Sequence, residues 1–181
     1  MALKATIFKA DLQIADMDRH YYQSHALTIA RHPSETDERM MVRLLAFARH
    51  ADEALVFAKG LSDTDEPDIW LKDLTGSIKL WIEVGQPDEK RILKACGRSE
   101  QVVVYAYSGN GAGIWWNQIA PKLQRLSNLT VVNIIPPTSI ELSKLAQRTM
   151  ELQCTIQDGE VWMAGDEDRV QVEFVTLKSP Q

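Results

Sequence analysis

Two short apolar runs, VVVYAY at 102–107 and TVVNII at 130–135, constrain the fold more than any other feature of the chain. Each follows a segment with helical punctuation. Residues 87–97 open on Pro87 and end near Gly97; proline suits a first helical turn and glycine the position just past the last. A Gly-rich loop and a second helix at 114–126 lie between the runs, and a third helix at 139–148 follows them. Buried strands alternating with short helices predict a locally parallel βαβ arrangement.

The flanks read differently. Residues 2–15 and 21–32 predict a strand pair with its turn at Asp16-Met17-Asp18. Pro33-Ser34 stops the second strand, and Ser34, with Asp37 three residues on, predicts the cap of a helix over 35–50. Met40, Met41, Leu44, Leu45 and Ala48 give that helix its apolar face, and Glu38 lies on the same face one turn before Met41. Residues 61–67 are polar and acidic, hence a loop, and 151–177 predict a β-meander turning at Asp158-Gly159. No repeat or linker divides the chain. One α/β (α+β) domain over 1–181 is therefore expected, with a mixed sheet flanked by helices, an N-terminal hairpin and a C-terminal meander.

Charge and cysteine usage exclude some functions. A net charge of −5 and a pI near 5.4 give no global attraction to nucleic acid or membrane, so any polyanion site must be local. Residues 1–16 are charged throughout, which predicts no secretory leader, and no apolar stretch reaches the roughly 20 residues of a membrane span. Cys96 and Cys154 form no CxxC pair and suit a reducing cytoplasm. The four histidines show no HExxH or HxH spacing.

The chemistry-bearing stretch is EPDIWLKDLTGSIKLWIEVGQPDEKRILKAC, residues 66–96. Ile78, Leu80, Ile82 and Val84 alternate with Lys79, Trp81, Glu83 and Gly85, as in a strand. With Thr75-Gly76 at the centre of the turn, Ile69 faces Ile82, Trp70 faces Trp81, Leu71 faces Leu80, and Asp68 meets Glu83. A register shifted by one breaks the apolar match. Directly opposed residues have Cβ atoms about 4.5–5.5 Å apart. Two carboxylates so placed can share a hard cation such as Mg²⁺, which takes one or two carboxylates and completes its shell with water or phosphate. The plainer alternative is that Asp68 merely begins a strand and Glu83 is a solvated edge charge. On the following helix Arg91, Lys94 and Arg98 form a basic stripe with Lys90 beside it. Lys94 is expected to point back toward the carboxylates; the alternative is a solvated helix end favoured by the helix dipole.

Pro67-Asp68, Glu83 and a basic helix resemble the PD-(D/E)XK nuclease core. More closely, the chain resembles the bacterial YaeQ family over essentially all 181 residues. The segments that carry this likeness are MALKATIFKA, TIARHPSETDERMMVRLLAFA, LWIEVGQPDEKRILKAC, IWW, RTM and LQCTIQDG. The resemblance implies a variant restriction-endonuclease-like PD-(D/E)XK fold in a cytoplasmic protein. It implies metal ligands Asp68 and Glu83 with Glu38 as a third acid, Mg²⁺ or Mn²⁺ as cofactor, and Glu83, Lys94 and Gln86 as the catalytic set. Arg91, Lys90 and Arg98 would then hold phosphates, and Trp70 or Trp81 would stack on an unpaired base. The sequence departs from the pattern at one place: the lysine expected two residues after the glutamate is Gly85, and Lys94 is the candidate replacement. Two classes follow, a metal-dependent nuclease or phosphodiesterase, and a non-catalytic descendant that binds a protein partner or nucleic acid.

Weaker signals are the loop YSGNGAGIWW, whose glycines do not complete a GxGxxG fingerprint, and His32, which has no nucleophile motif beside it. Trp115, Trp116 and Trp162 read as packing residues. Arg31 and His32 are expected to pair with Glu35 or Glu38 at the surface.

Overall fold

A computed structural model describes residues 4–181; the first two residues of the strand expected over 2–15 lie outside the described residues. In chain order the elements are β1 (Thr6–Asp16), β2 (Tyr21–Arg31), α1 (Asp37–Arg49), β3 (Leu55–Phe57), β4 (Ile69–Lys72), β5 (Ile78–Val84), α2 (Glu89–Arg98), β6 (Ser99–Ala106), α3 (Asn110–Leu123), β7 (Leu129–Ile134), α4 (Thr138–Ser143), β8 (Thr149–Gln157), β9 (Glu160–Ala164), β10 (Arg169–Val172) and β11 (Phe174–Lys178). The fold is mixed α+β with two mixed sheets flanked by helices, where a single sheet was expected. The chain divides into two compact units, Met1–His50 with Pro137–Glu173, and Ala51–Pro136 with Phe174–Gln181.

In the first unit the sheet order is β10-β9-β8-β1-β2. The β1–β2 hairpin pairs without interruption from Thr6 opposite Arg31 to Asp16 opposite Tyr21. Strict alternation in β1 buries Phe8, Ala10, Leu12 and Ile14. β8 joins β1 in parallel, so the expected closing meander is only β8-β9-β10. Helix α1 is capped by Thr36, whose side chain accepts the Arg39 N–H; Ser34 lies too far upstream to do so. Burial of α1 runs unbroken from Met40 to Ala48, which makes it a core helix rather than an amphipathic surface one. α4 spans six residues, shorter than the helix expected at 139–148.

In the second unit the order is β11-β7-β6-β5-β4-β3. β5, β6 and β7 are parallel, joined by α2 and α3 as the apolar runs predict. β4 and β3 extend the sheet antiparallel on one side, and β11 does so on the other. Both helices cover one sheet face, packing Ile92, Ala95 and Trp116 onto Trp81, Val104 and Val131. β5 is therefore buried on both faces over Leu80–Val84, where only one apolar face was expected. α2 begins after Asp88, whose carboxylate accepts the Arg91 N–H at 2.8 Å, and Gly97 falls inside it. α3 absorbs the glycine-rich segment as its first turn. Gly109 precedes it at φ +59°, and a Cβ there would stand 3.0 Å from Pro136. No helix among the described residues is long and apolar enough to cross a membrane.

Candidate functional site

The β4–β5 hairpin carries the expected register at Ile69–Ile82, Trp70–Trp81 and Leu71–Leu80. Its turn is not the expected two-residue one. The ladder shifts by one at Lys72–Ile78, and Asp73 organises the loop. Asp73 Oδ1 accepts the Thr75 hydroxyl at 2.6 Å and the Thr75 and Ser77 amides at 2.8 and 3.0 Å. The hydroxyl bond above all holds the Asp73 carboxyl down at about 2. An aspartate bonding its own backbone offers an alternative to the ladder, which is why the turn widens.

The ladder ends at Ile69, and Asp68 lies one residue beyond it. Its N–H donates to Ile82 O at 3.2 Å, and its Oδ2 accepts the Val84 N–H at 2.8 Å. Asp68 thus reaches across β5 with its side chain rather than as a plain ladder partner of Glu83. Both carboxylates are nearly sealed from solvent, at 2% and 4% exposure. Asp68 Oδ1 packs against Gly60, where a Cβ would come within 2.6 Å; φ is +50° there. Glu83 Oε1 accepts Trp81 Nε1–H at 2.9 Å and Arg91 Nε–H at 2.8 Å. Burial first, and then the Asp68 charge, push the Glu83 carboxyl up to about 7 in spite of the Arg91 guanidinium.

The basic stripe sits differently from the expectation. Lys94 does not turn toward the carboxylates; its ammonium pairs with Asp65 Oδ1 at 2.6 Å, with both side chains more than half exposed. Arg91, one turn closer to the end of β5, is the residue that reaches Glu83. Its Nη1 and Nη2 donate to the Thr64 and Glu66 carbonyls, each at 2.8 Å. Arg91 is thereby an ion-pair partner of Glu83 and an anchor of the loop at 64–66. Arg98 donates to the Asp65 carbonyl at 3.0 Å and lies over the Trp81 ring at 5.1 Å. Lys90 and Gln86 are exposed. Trp115 Nε1 donates to Pro87 O at 2.9 Å, which fixes the loop that carries Gln86.

Glu38 is on α1 in the first unit and is partly exposed. Among the described residues, no three His, Cys, Asp or Glu side chains are grouped to hold a metal ion. Trp81 is a core residue at 2% exposure and cannot stack on a base, while Trp70 meets it edge to face at 6.1 Å. Gly85, in the lysine position, has φ +109° with open space around it, a backbone that a lysine side chain would strain.

Sequence reasoning missed two charge networks. Glu35 is buried and accepts from Arg39 and from Arg43, whose Nη2 stands 2.6 Å away and also reaches Ala30 O. Arg31 pairs with Asp37, and His32 with Ser34, rather than with Glu35 or Glu38. The other network is the acidic loop 63–66 lying on α2. Its signal in the sequence is the matching run of Asp63, Asp65 and Glu66 ahead of the basic helix.

Comparison with known proteins fits this architecture. The family model described as YaeQ protein matches residues 1–174. The YaeQ protein of Salmonella typhi is 47% identical over 180 residues, and that of Escherichia coli K12 is 46% identical; each comparison covers 99% of both chains. The crystal structure of the YaeQ protein from Xanthomonas axonopodis pv. citri superposes with a TM-score of 0.93 at 49% identity, covering 97% of this chain and 99% of that one. That from Pseudomonas syringae gives 0.92 at 37% identity, with 97% of each chain covered. With a family match over nearly its whole length and relatives this similar in sequence and in shape, the chain belongs to the YaeQ family.

Proposed function

We propose that the end of the β4–β5 hairpin is a divalent-cation site of the nuclease type, serving hydrolysis of phosphodiesters. The observation that carries this reading is the burial of two carboxylates, Asp68 and Glu83, close enough that one charge raises the pKa of the other. Like charges buried together are costly unless a cation or a proton relieves them. The donors are hard oxygens, and a pair is enough for Mg²⁺ or Mn²⁺ when phosphate and water complete the shell. The element order β3-β4-β5-α2-β6 supports a PD-(D/E)XK-type core. When bound, the cation supplies an acidified water and neutralises charge on the phosphate.

The chain's own residues have separable roles. The Val84 amide and Gly60 orient Asp68, and Trp81 and Arg91 orient Glu83. Lys94 and Lys90 present positive charge on the exposed face of α2, with Gln86 on the neighbouring loop. A cytoplasmic location fits the two free cysteines, whose thiols burial pushes up to about 11 and 12 and keeps unreactive.

A second reading, a non-catalytic protein of nuclease fold that binds nucleic acid or a protein partner, is favoured by Gly85. Its positive φ excludes an unstrained lysine at that position. Cleavage assays separate the two. Single- and double-stranded DNA and RNA are incubated with Mg²⁺ or Mn²⁺ and the wild type, Asp68→Ala or Glu83→Ala. Metal-dependent cleavage lost in both variants is expected. Intact substrates in every combination would leave the second reading.

A further inference from the structure

We propose that residues 63–66 are an internal mimic of a phosphodiester strand, a strap that occupies the basic stripe of α2 and must lift before a nucleic-acid backbone can lie there. The proposal rests on the nuclease-type reading of the neighbouring carboxylates and assigns that site its access control.

The contacts form a comb. Arg91, Lys94 and Arg98 are spaced so that successive turns of α2 present one cation each along a common face. Each holds the strap: Arg91 the Thr64 and Glu66 carbonyls, Lys94 the Asp65 carboxylate, and Arg98 the Asp65 carbonyl. One strap carboxylate, Asp65, meets a cation of the stripe directly, while Asp63 and Glu66 pair with Lys59 at 3.8 and 3.9 Å and the other two cations hold strap carbonyls. Asp63 shapes it from within, its Oδ1 accepting the Asp65 N–H at 2.7 Å. The strap runs directly into Pro67 and Asp68, so its path is tied to the carboxylate pair.

The two ends of the comb differ in strength. The Lys94–Asp65 pair has side chains 57% and 68% exposed, and such pairs contribute little. Arg91 is more enclosed, at 23% exposure, and makes three hydrogen bonds. The Asp65 end therefore opens first and exposes Lys94, while Arg91 holds the hinge end against Glu83. A polyanion with charges spaced along it competes for the same cations, and its hold weakens with salt.

The test is fluorescence anisotropy of a short labelled single-stranded oligodeoxynucleotide at low salt in EDTA. EDTA removes divalent cations, so the result does not depend on whether the carboxylates bind metal; metal binding is read separately by calorimetry. Wild type is compared with Asp63→Asn/Asp65→Asn, and with Asp166→Asn/Glu167→Gln as an equal change of charge in the other unit. The strap variant is expected to bind about fivefold more tightly than wild type, from the loss of the Asp65 charge that competes for Lys94 and of the neighbouring Asp63 charge. The variant in the other unit is expected to match wild type, and Lys94→Ala added to the strap variant to cancel the gain. Equal affinities for wild type and strap variant, absence of binding by both included, would overturn the proposal. So would a gain that survives Lys94→Ala or that the variant in the other unit reproduces.

Discussion

Glu83→Gln is expected to stabilise the protein at alkaline pH and to change little in acid. The Glu83 carboxyl titrates at about 7 in the folded chain against an ordinary value of 4.5, because burial and the Asp68 charge disfavour its ionised form. A group whose folded pKa is raised contributes stability that is present below the unfolded pKa and lost as pH rises through the folded one. The window is therefore pH 4.5 to about 7. At about 1.4 kcal/mol per pH unit, the full loss is about 3 kcal/mol. Glutamine keeps an acceptor for Trp81 Nε1 and Arg91 Nε, now bonded at 2.9 and 2.8 Å, and it cannot ionise. Urea unfolding of both proteins in EDTA, near pH 5 and near pH 8, measures the difference directly. The variant's advantage should grow by about 2–3 kcal/mol between the two conditions. An advantage that is absent, or equal at both, would refute a Glu83 carboxyl strained by burial beside Asp68.

Gly85→Ala should cost about 1–2 kcal/mol from backbone strain alone, since φ is +109° and no atom lies within 4 Å of the added Cβ; thermal unfolding measures it. Gly60→Ala should cost more, about 2–3 kcal/mol, because the new methyl meets Asp68 Oδ1 at 2.6 Å, and the loss should shrink when Asp68→Ala is added. Arg43→Met should destabilise by about 3–5 kcal/mol by leaving Glu35 under-compensated in the core, and Glu35→Gln in the same chain should restore much of it in denaturant titrations.

How much was legible varies with the physics of each element. The pairing of Ile69, Trp70 and Leu71 with β5 was readable, because only one register matches apolar residues across the hairpin. The turn was not, because Asp73 bonds its own backbone and widens the loop. The order β5-α2-β6-α3-β7 followed from apolar runs alternating with helices. That β11 pairs with β7 instead of closing the β8-β9-β10 meander has no local signal, since a strand's pattern marks its faces and not its neighbour. Register was expected to set Asp68 opposite Glu83, but the ladder ends at Ile69 and the Asp68 carboxylate accepts the Val84 amide instead. Lys94 was chosen over Arg91 because spacing shows that two residues share a helix face but not which turn lies over the strand end. β3 has only three residues, too few for a pattern, and with it the path of the acidic loop onto α2 was hidden.

Calorimetric titration of Mn²⁺ and Mg²⁺ into the wild type and Glu83→Ala reads cation binding at Asp68 and Glu83 itself. Wild type is expected to bind and the variant not to, with the variant still folded by circular dichroism. Binding of equal strength in both proteins, or in neither with a phosphodiester oligonucleotide present to complete the shell, would contradict a cation site at Asp68 and Glu83.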